Sequence, residues 1–217
     1  SGPSKKPVAT STGQSATPAP AFNPLSIEAL RGRKYVPSTV ITERKVSDQG
    51  LFRTSIVSYE SDALVLFALA KTPAGPVPPG GFPVVIVSHG AQTAQGYSTL
   101  DYMKAATDYF ASRGFLVLKP DYRGYGDSTT REGGWARIGW YAVDLLHLIA
   151  AVPTIREADS RNIFVLGQGM GGDATLRALE ATDRVRAASL WAPVAAPMPL
   201  GLVYYTRSRR EAVEARI

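Results

Sequence analysis

The residues whose types and spacing could do chemistry gather around one stretch, Ile163-Phe164-Val165-Leu166-Gly167-Gln168-Gly169-Met170-Gly171-Gly172. A β-branched and aromatic run ends in glycines, and a helical pattern follows from Asp173 to Ala181. That order predicts a strand, a very tight turn and a helix. Small residues at such a turn let strand and helix approach closely. The central residue is Gly169, which offers only a hydrogen. Gln168 has no nucleophilic oxygen, and Asp173 lies one helical turn on, where the helix dipole favours an ionised, structural carboxylate. A phosphate-binding glycine turn is the other reading, but the glycines lack the dinucleotide-binding spacing and come late in the chain.

Other reactive residues are few. There are no cysteines, which excludes a disulfide, a thiol nucleophile and a Cys-ligated metal. His89 and His147 are the only histidines, so neither a zinc site nor any other metal or cofactor site is expected. His89 follows the run Pro83 to Ser88 and reads as a hydrogen bonder that stabilises its turn. His147 lies within Val143 to Leu148, an amphipathic helical pattern, and reads as a packing or surface residue.

The elements that must position these residues follow a clear order. Ser1 to Pro20 is rich in Ser, Thr, Pro, Ala and Gly, so residues 1–23 read as a disordered tether and 24–217 as one domain. Such a tether often follows an export signal, a weak pointer to an extracytoplasmic location; an expression linker is the alternative, and the compartment is open. Ser26 to Leu30 is a short helical pattern. From Ile41 the period becomes two. Phe52 to Tyr59 and Ala63 to Ala70 predict an antiparallel hairpin turning at Glu60-Ser61-Asp62. Val84 to Ser88, Phe115 to Lys119, Ile163 to Leu166 and Val185 to Trp191 predict strands. Tyr102 to Ser112, Ile138 to Val152 and Asp173 to Ala181 predict helices, the first packing through Ala105, Ala106, Tyr109 and Phe110. Alternating strands and helices imply a parallel sheet.

Composition bounds the partners. The 217 residues are 45% hydrophobic, too apolar for general disorder, with no run long enough to span a bilayer. The net charge of +6 is dispersed, densest at Arg207, Arg209 and Arg210, and reads as a solvated surface rather than a nucleic-acid site.

The glycine turn is similar to the G-x-S-x-G nucleophile elbow of the α/β-hydrolase superfamily, with Gly169 where the serine would stand. Pro83-Val84-Val85-Ile86-Val87-Ser88-His89-Gly90 resembles the strand and His-Gly turn that build part of its oxyanion hole. Asp121-Tyr122-Arg123-Gly124-Tyr125-Gly126-Asp127-Ser128 is similar to a loop of the prolyl-oligopeptidase-like and related esterase branch. Trp191-Ala192-Pro193-Val194 resembles the end of the strand after the elbow helix. The four motifs keep the superfamily's order over roughly residues 40 to 200.

The resemblance implies an α/β fold. The sheet would be mostly parallel, with helices on both faces, an N-terminal antiparallel hairpin and an early C-terminal end. It implies the amides of Ala91 and Met170 as oxyanion donors and a pocket of His89, Gly90, Gln92, Tyr122 and Gln168. Tyr122, Arg123 and Tyr125 would shape that pocket or brace their loop against the first of the helices between strands. Asp127 and Ser128 would form a turn and cap. The family's acid and histidine follow its next two strands, and no residue up to Ile217 is assigned to either role. The expected function is a relative of serine esterases and peptidases, inactive or truncated as written, whose ligand would be a small ester, peptide or carboxylate. Alternatives are a non-catalytic binding module that uses the vestigial pocket or an open sheet edge, and a hydrolase completed by a second polypeptide. The edge at Ala187-Ala188-Ser189-Leu190 is expected to be covered by the tail from Val203 to Ile217 or by a second copy of the chain.

Overall fold

The computed structural model describes residues 23–48, 50–131 and 134–195. Helix α1 (Ile27–Gly32) is capped by Ser26, whose hydroxyl accepts from the Ala29 N–H at 3.2 Å. Its buried residue, Leu30, packs on Ala142 and Val143. Three antiparallel strands follow: β1 (Ile41–Ser47), β2 (Phe52–Ser61) and β3 (Leu64–Pro73). Only Asp62 and Ala63 separate β2 from β3, both at positive φ, 52° and 58°. A two-residue loop of that kind matches the twist of a hairpin. The turn therefore lies later than Glu60-Ser61-Asp62, and Ala63 belongs to it rather than to the strand. Asp62 is tied from outside by Arg33 and by His147.

The second half alternates: β4 (Phe82–Ser88), α2 (Lys104–Ala111), β5 (Leu116–Asp121), α3 (Tyr141–Ala151), β6 (Ala158–Gln168), α4 (Met170–Ala181) and β7 (Val185–Trp191). The strands form one mixed sheet of seven, ordered β1-β2-β3-β5-β4-β6-β7. β5, β4, β6 and β7 are mutually parallel, and the antiparallel strands join at β5. The expected α/β architecture with an antiparallel hairpin at one side is present. β4 is apolar almost throughout because helices cover both of its faces.

One face of the sheet carries the main core, in which Leu66, Ile86, Leu118 and Val165 meet Leu145 and Leu148 of α3 and Ala174 of α4. Every residue of α3 is buried. The expected amphipathic helix is thus replaced by one enclosed all round, with His147 bonded to Asp62 at 3.2 Å and edge-on to Tyr35. Among the described residues the other face is covered by α2, over Val85, Val87, Val117 and Leu166. α2 packs through Ala106, Thr107, Phe110 and Ala111. Ala105 and Tyr109, expected inside, face solvent. Beyond α2, Phe110, Phe115, Phe164, Leu166, Ala187 and Ala188 line an apolar groove of about 280 Å³. β7 is the last strand among the described residues, and most of it is exposed. The tail expected to cover it, Val203 to Ile217, lies outside the described residues, as do Arg207, Arg209 and Arg210 and the residues of the proposed tether before Asn23. Among the described residues no helix is long and apolar enough to cross a membrane.

Candidate functional site

β6 ends at Gln168, α4 begins at Met170, and Gly169 between them stands at φ 52° and ψ −114°. Its main chain is pinned on both sides. The Gly169 N–H donates to the Trp191 carbonyl at 2.9 Å, and its carbonyl accepts from Gly172 N–H (3.0 Å) and Asp173 N–H (3.1 Å). The glycines around it are required by close approach. A Cβ on Gly171 would overlap the Ser88 carbonyl, and one on Gly167 would stand 2.7 Å from Thr175 Oγ1. One on Gly172 would stand 2.8 Å from Pro193. Gly169 differs: a Cβ there would meet only the Gly90 Cα, at 3.9 Å, an ordinary contact. Packing leaves that position free, and only its positive φ is costly for a larger residue.

The end of β4 is stitched to the start of α4. Ser88 Oγ donates to the Gly171 carbonyl at 2.7 Å, and Ser88 and Tyr122 share a short hydroxyl–hydroxyl contact. This seats the His89-Gly90 turn under the elbow. His89 is fully buried among the rings of Tyr97, Tyr122, Tyr125 and Tyr102, at centroid distances of 4.8, 5.0, 5.1 and 5.7 Å. Its Nδ1–H donates to the Gly90 carbonyl at 2.8 Å, and Nε2 has no partner among the described residues. Burial drives the imidazole pKa down to about 3; the Gly90 bond opposes this and Lys119 adds to it. His89 is therefore a neutral brace of the turn, sealed from solvent, and is corrected from a pocket-lining residue to part of the floor.

Tyr122 needs the same correction. It is fully buried and stacked on Tyr141 at 4.7 Å, so it supports the turn from below instead of lining a pocket. Arg123 is also buried and pairs with Asp144 of α3 at 2.7 Å, with Ser61 Oγ donating to the same carboxylate at 2.8 Å. Tyr125 OH donates to the Gln92 carbonyl at 2.9 Å. The loop after β5 thus braces against α3 and the oxyanion-type turn, not against α2. Ser128 ties it to β3 by accepting from Phe67 N–H at 2.8 Å. Asp127 is exposed.

Ala91 and Gln92 are exposed after the turn, Gly90 is buried under it, and Met170 is buried at the first position of α4. The first amides of a helix lack intrahelical acceptors, so the Met170 N–H is one of the donors at that end. Gln168 is partly exposed. Asp173 pairs with Arg177 at 3.4 Å, and burial raises its carboxyl pKa while Arg177 opposes the rise. Desolvation thus works against the charge that the helix dipole and Arg177 favour.

Two features were not foreseen. Behind the turn, Asp121 accepts from Tyr97 OH and Thr99 Oγ1, and Lys119 Nζ donates to Tyr97 OH at 2.9 Å. Burial raises Asp121 to a pKa of about 6 and lowers Lys119 to about 8. This network ties the loop that carries the turn to β5. The second is Tyr102, expected as the first residue of a helix. Met103 stands in the left-handed region at φ 57°, so α2 begins at Lys104, and Tyr102 sits in the preceding turn with its hydroxyl beside Gly90. The sequence signal for it was the set of tyrosines flanking the His-Gly turn. Among the described residues no group of three or more His, Asp or Glu could hold a metal ion.

Comparison with known proteins fits this geometry. No curated protein matches the chain. An acetyl xylan esterase from Paenibacillus sp. R4 superposes with a TM-score of 0.62 at 22% identity, over 85% of this chain and 66% of that one. Acetyl xylan esterase 1 from Thermoanaerobacterium gives 0.59 at 17%, over 83% and 64%. A 2-hydroxy-6-oxo-6-phenylhexa-2,4-dienoate hydrolase from Rhodococcus gives 0.52 at 22%, over 71% and 54%. The chain spans less than two thirds of the length of each of these structures, and at these identities the likeness is one of fold. The family model described as serine aminopeptidase, S33, matches residues 82–209, more than half of the chain and all of the elbow and its neighbouring turns. The chain belongs to that family of α/β-hydrolases.

Proposed function

We propose that the chain is an esterase-type member of the family whose elbow, as written here, holds an acyl or carboxylate oxygen without attacking it. The observation that carries this reading is Gly169. Its backbone takes the positive-φ conformation in which a side chain would stand over the sheet, the space for that side chain is open, and the residue supplies none. Glycine holds this conformation with less strain than serine would, so the fold is kept while nucleophilic attack is lost. Ala91 and Met170 retain the two amides that an acyl oxygen needs, because a backbone donor survives any side-chain change.

Neither histidine supplies a base: His89 is sealed and held neutral, and His147, on α3, is bonded to Asp62 of the β2–β3 turn. The esterase folds among the similar structures favour an ester over a peptide as the ligand of the lineage. The loop Asp121 to Ser128 supports a place near the prolyl-oligopeptidase-like and esterase branch. Small carboxylates should bind in the millimolar range, about 4 kcal/mol.

A fluorophosphonate probe tests the reading. The chain should take no adduct and show no ester or peptide turnover above background. Gly169→Ser should gain only slow labelling, because a serine without a base is a poor nucleophile at neutral pH. Saturable labelling of the unaltered chain at any serine would sink the proposal.

A further inference from the structure

Two polar side chains beside the elbow have no hydrogen-bond partner among the described residues: the Tyr102 phenol and the Gln168 carboxamide. Their polar atoms converge on one place. A Cβ built on Gly90 would stand 3.4 Å from Tyr102 OH and 3.6 Å from Gln168 Oε1. The Gly90 Cα itself is the nearest atom to the open Cβ position of Gly169, at 3.9 Å. Backbone without a side chain, the open apex and two unpaired polar groups therefore adjoin one another. A few convergent polar groups around a small opening are what fix the orientation of a ligand.

Tyr102 is held in place by its ring and not by its hydroxyl. The ring lies edge-on to His89 at 5.7 Å and tilted against Tyr97 at 5.8 Å. It is only partly buried, so a solute can reach it. Burial, with the nearby Tyr125, raises its pKa above that of an ordinary phenol, which keeps it a hydrogen-bond donor at neutral pH. Nothing in the packing described above uses that O–H.

We propose that Tyr102 is a ligand-binding residue of the elbow pocket, its hydroxyl donating to an oxygen of a small carboxylate or acyl group whose other contacts are the Ala91 and Met170 amides. The Gln168 carboxamide flanks the same oxygen-binding space. The assignment rests on the reading of the elbow as an acyl-oxygen pocket.

Tyr102→Phe isolates the claim, since it keeps the ring contacts and removes one oxygen. Sodium acetate is titrated into both proteins at constant ionic strength, with amide NMR signals followed at Gly90, Ala91, Met170 and Gly171. Equal thermal midpoints for the two proteins confirm that the variant is folded. The expected result is saturable movement of those four signals in the unaltered chain, with affinity five- to tenfold weaker in Tyr102→Phe and the same signals moving. Equal affinity in the two proteins would overturn the role of Tyr102 and leave the pocket standing. No movement of these signals in the unaltered chain would overturn the pocket itself and the assignment with it. Gln168→Leu is the companion variant: a twofold or greater loss supports the shared space, and none removes Gln168 from it.

Discussion

The two faces of the sheet are built to different standards. On the α3 and α4 face a continuous core joins both halves of the sheet, and even its charged groups are enclosed: Arg123 and Asp144 pair at 1% and 0% exposure. On the α2 face the core among the described residues is a small cluster, and an apolar groove runs along β6 and β7. The elbow sits where the faces meet. Its rigid parts, the Ser88–Gly171 bond and the Tyr122–Tyr141 stack, lean on the closed face. Tyr97, Thr99 and Tyr102 lie instead on the loop that leads into α2, the first two tied to Asp121 and the third with its hydroxyl beside Gly90. The contrast separates what fixes the turn from what touches a ligand.

The sharpest way to break this contrast is a pair of truncations. Leu145→Ala on the closed face should cost about 3 kcal/mol in urea unfolding, because a fully buried leucine leaves a cavity that enclosed neighbours cannot fill. Phe164→Ala, partly buried beside the groove, should cost less, about 2 kcal/mol, since part of its ring already meets water. Equal losses would mean that the two faces are equally packed.

The loop side has a pH signature. The Asp121 carboxyl has a pKa of about 6 in the fold against 3.8 unperturbed, chiefly through burial. A raised folded-state pKa lends stability that is complete below the unfolded value and is lost as pH rises through the folded one. Relative to Asp121→Asn, the unaltered chain should therefore lose on the order of 2–3 kcal/mol between pH 4 and pH 7. Unfolding curves at pH 4, 5.5 and 7 measure this; parallel curves for the two proteins would show that Asp121 is not desolvated.

The smallest expected effect concerns association. β7 exposes Ala187, Ala188 and Ser189 beside the groove, and an apolar strand edge of that kind templates pairing with another chain. Sedimentation should show mass rising with concentration, and Ala188→Lys should hold the protein monomeric with less than about 0.5 kcal/mol change in stability. A chain that is monomeric at all concentrations would mean the edge is protected.

Much of the fold was legible because local rules agreed with it. Apolar runs such as Val84 to Ser88 read as strands enclosed by helices, and β7 is the predicted Val185 to Trp191. Misreadings came where a distant residue decides the outcome. Asp144 and His147 look like one polar side of a helix, yet each is matched inside the protein by Arg123 and Asp62, far away in sequence. Tyr122 looked like a pocket residue because its loop is at the sheet's edge, and only the stack on Tyr141 shows it facing inward. Tyr102 was absorbed into a helix because nothing in the identity of Met103 announces a left-handed backbone. Gly169 was legible as the apex of the turn and its glycine neighbours as the means of close approach, but not that a side chain at 169 alone would meet open space.

That freedom has a genetic side. Codons for glycine and serine can differ by a single nucleotide, whereas rebuilding a turn whose glycines are locked against Ser88, Thr175 and Pro193 would take coordinated changes. With the backbone already in place and nothing occupying the space above position 169, a single residue change would put a hydroxyl at its apex. A serine placed there would therefore enter an intact scaffold, with no compensating change needed among the locked glycines of the turn.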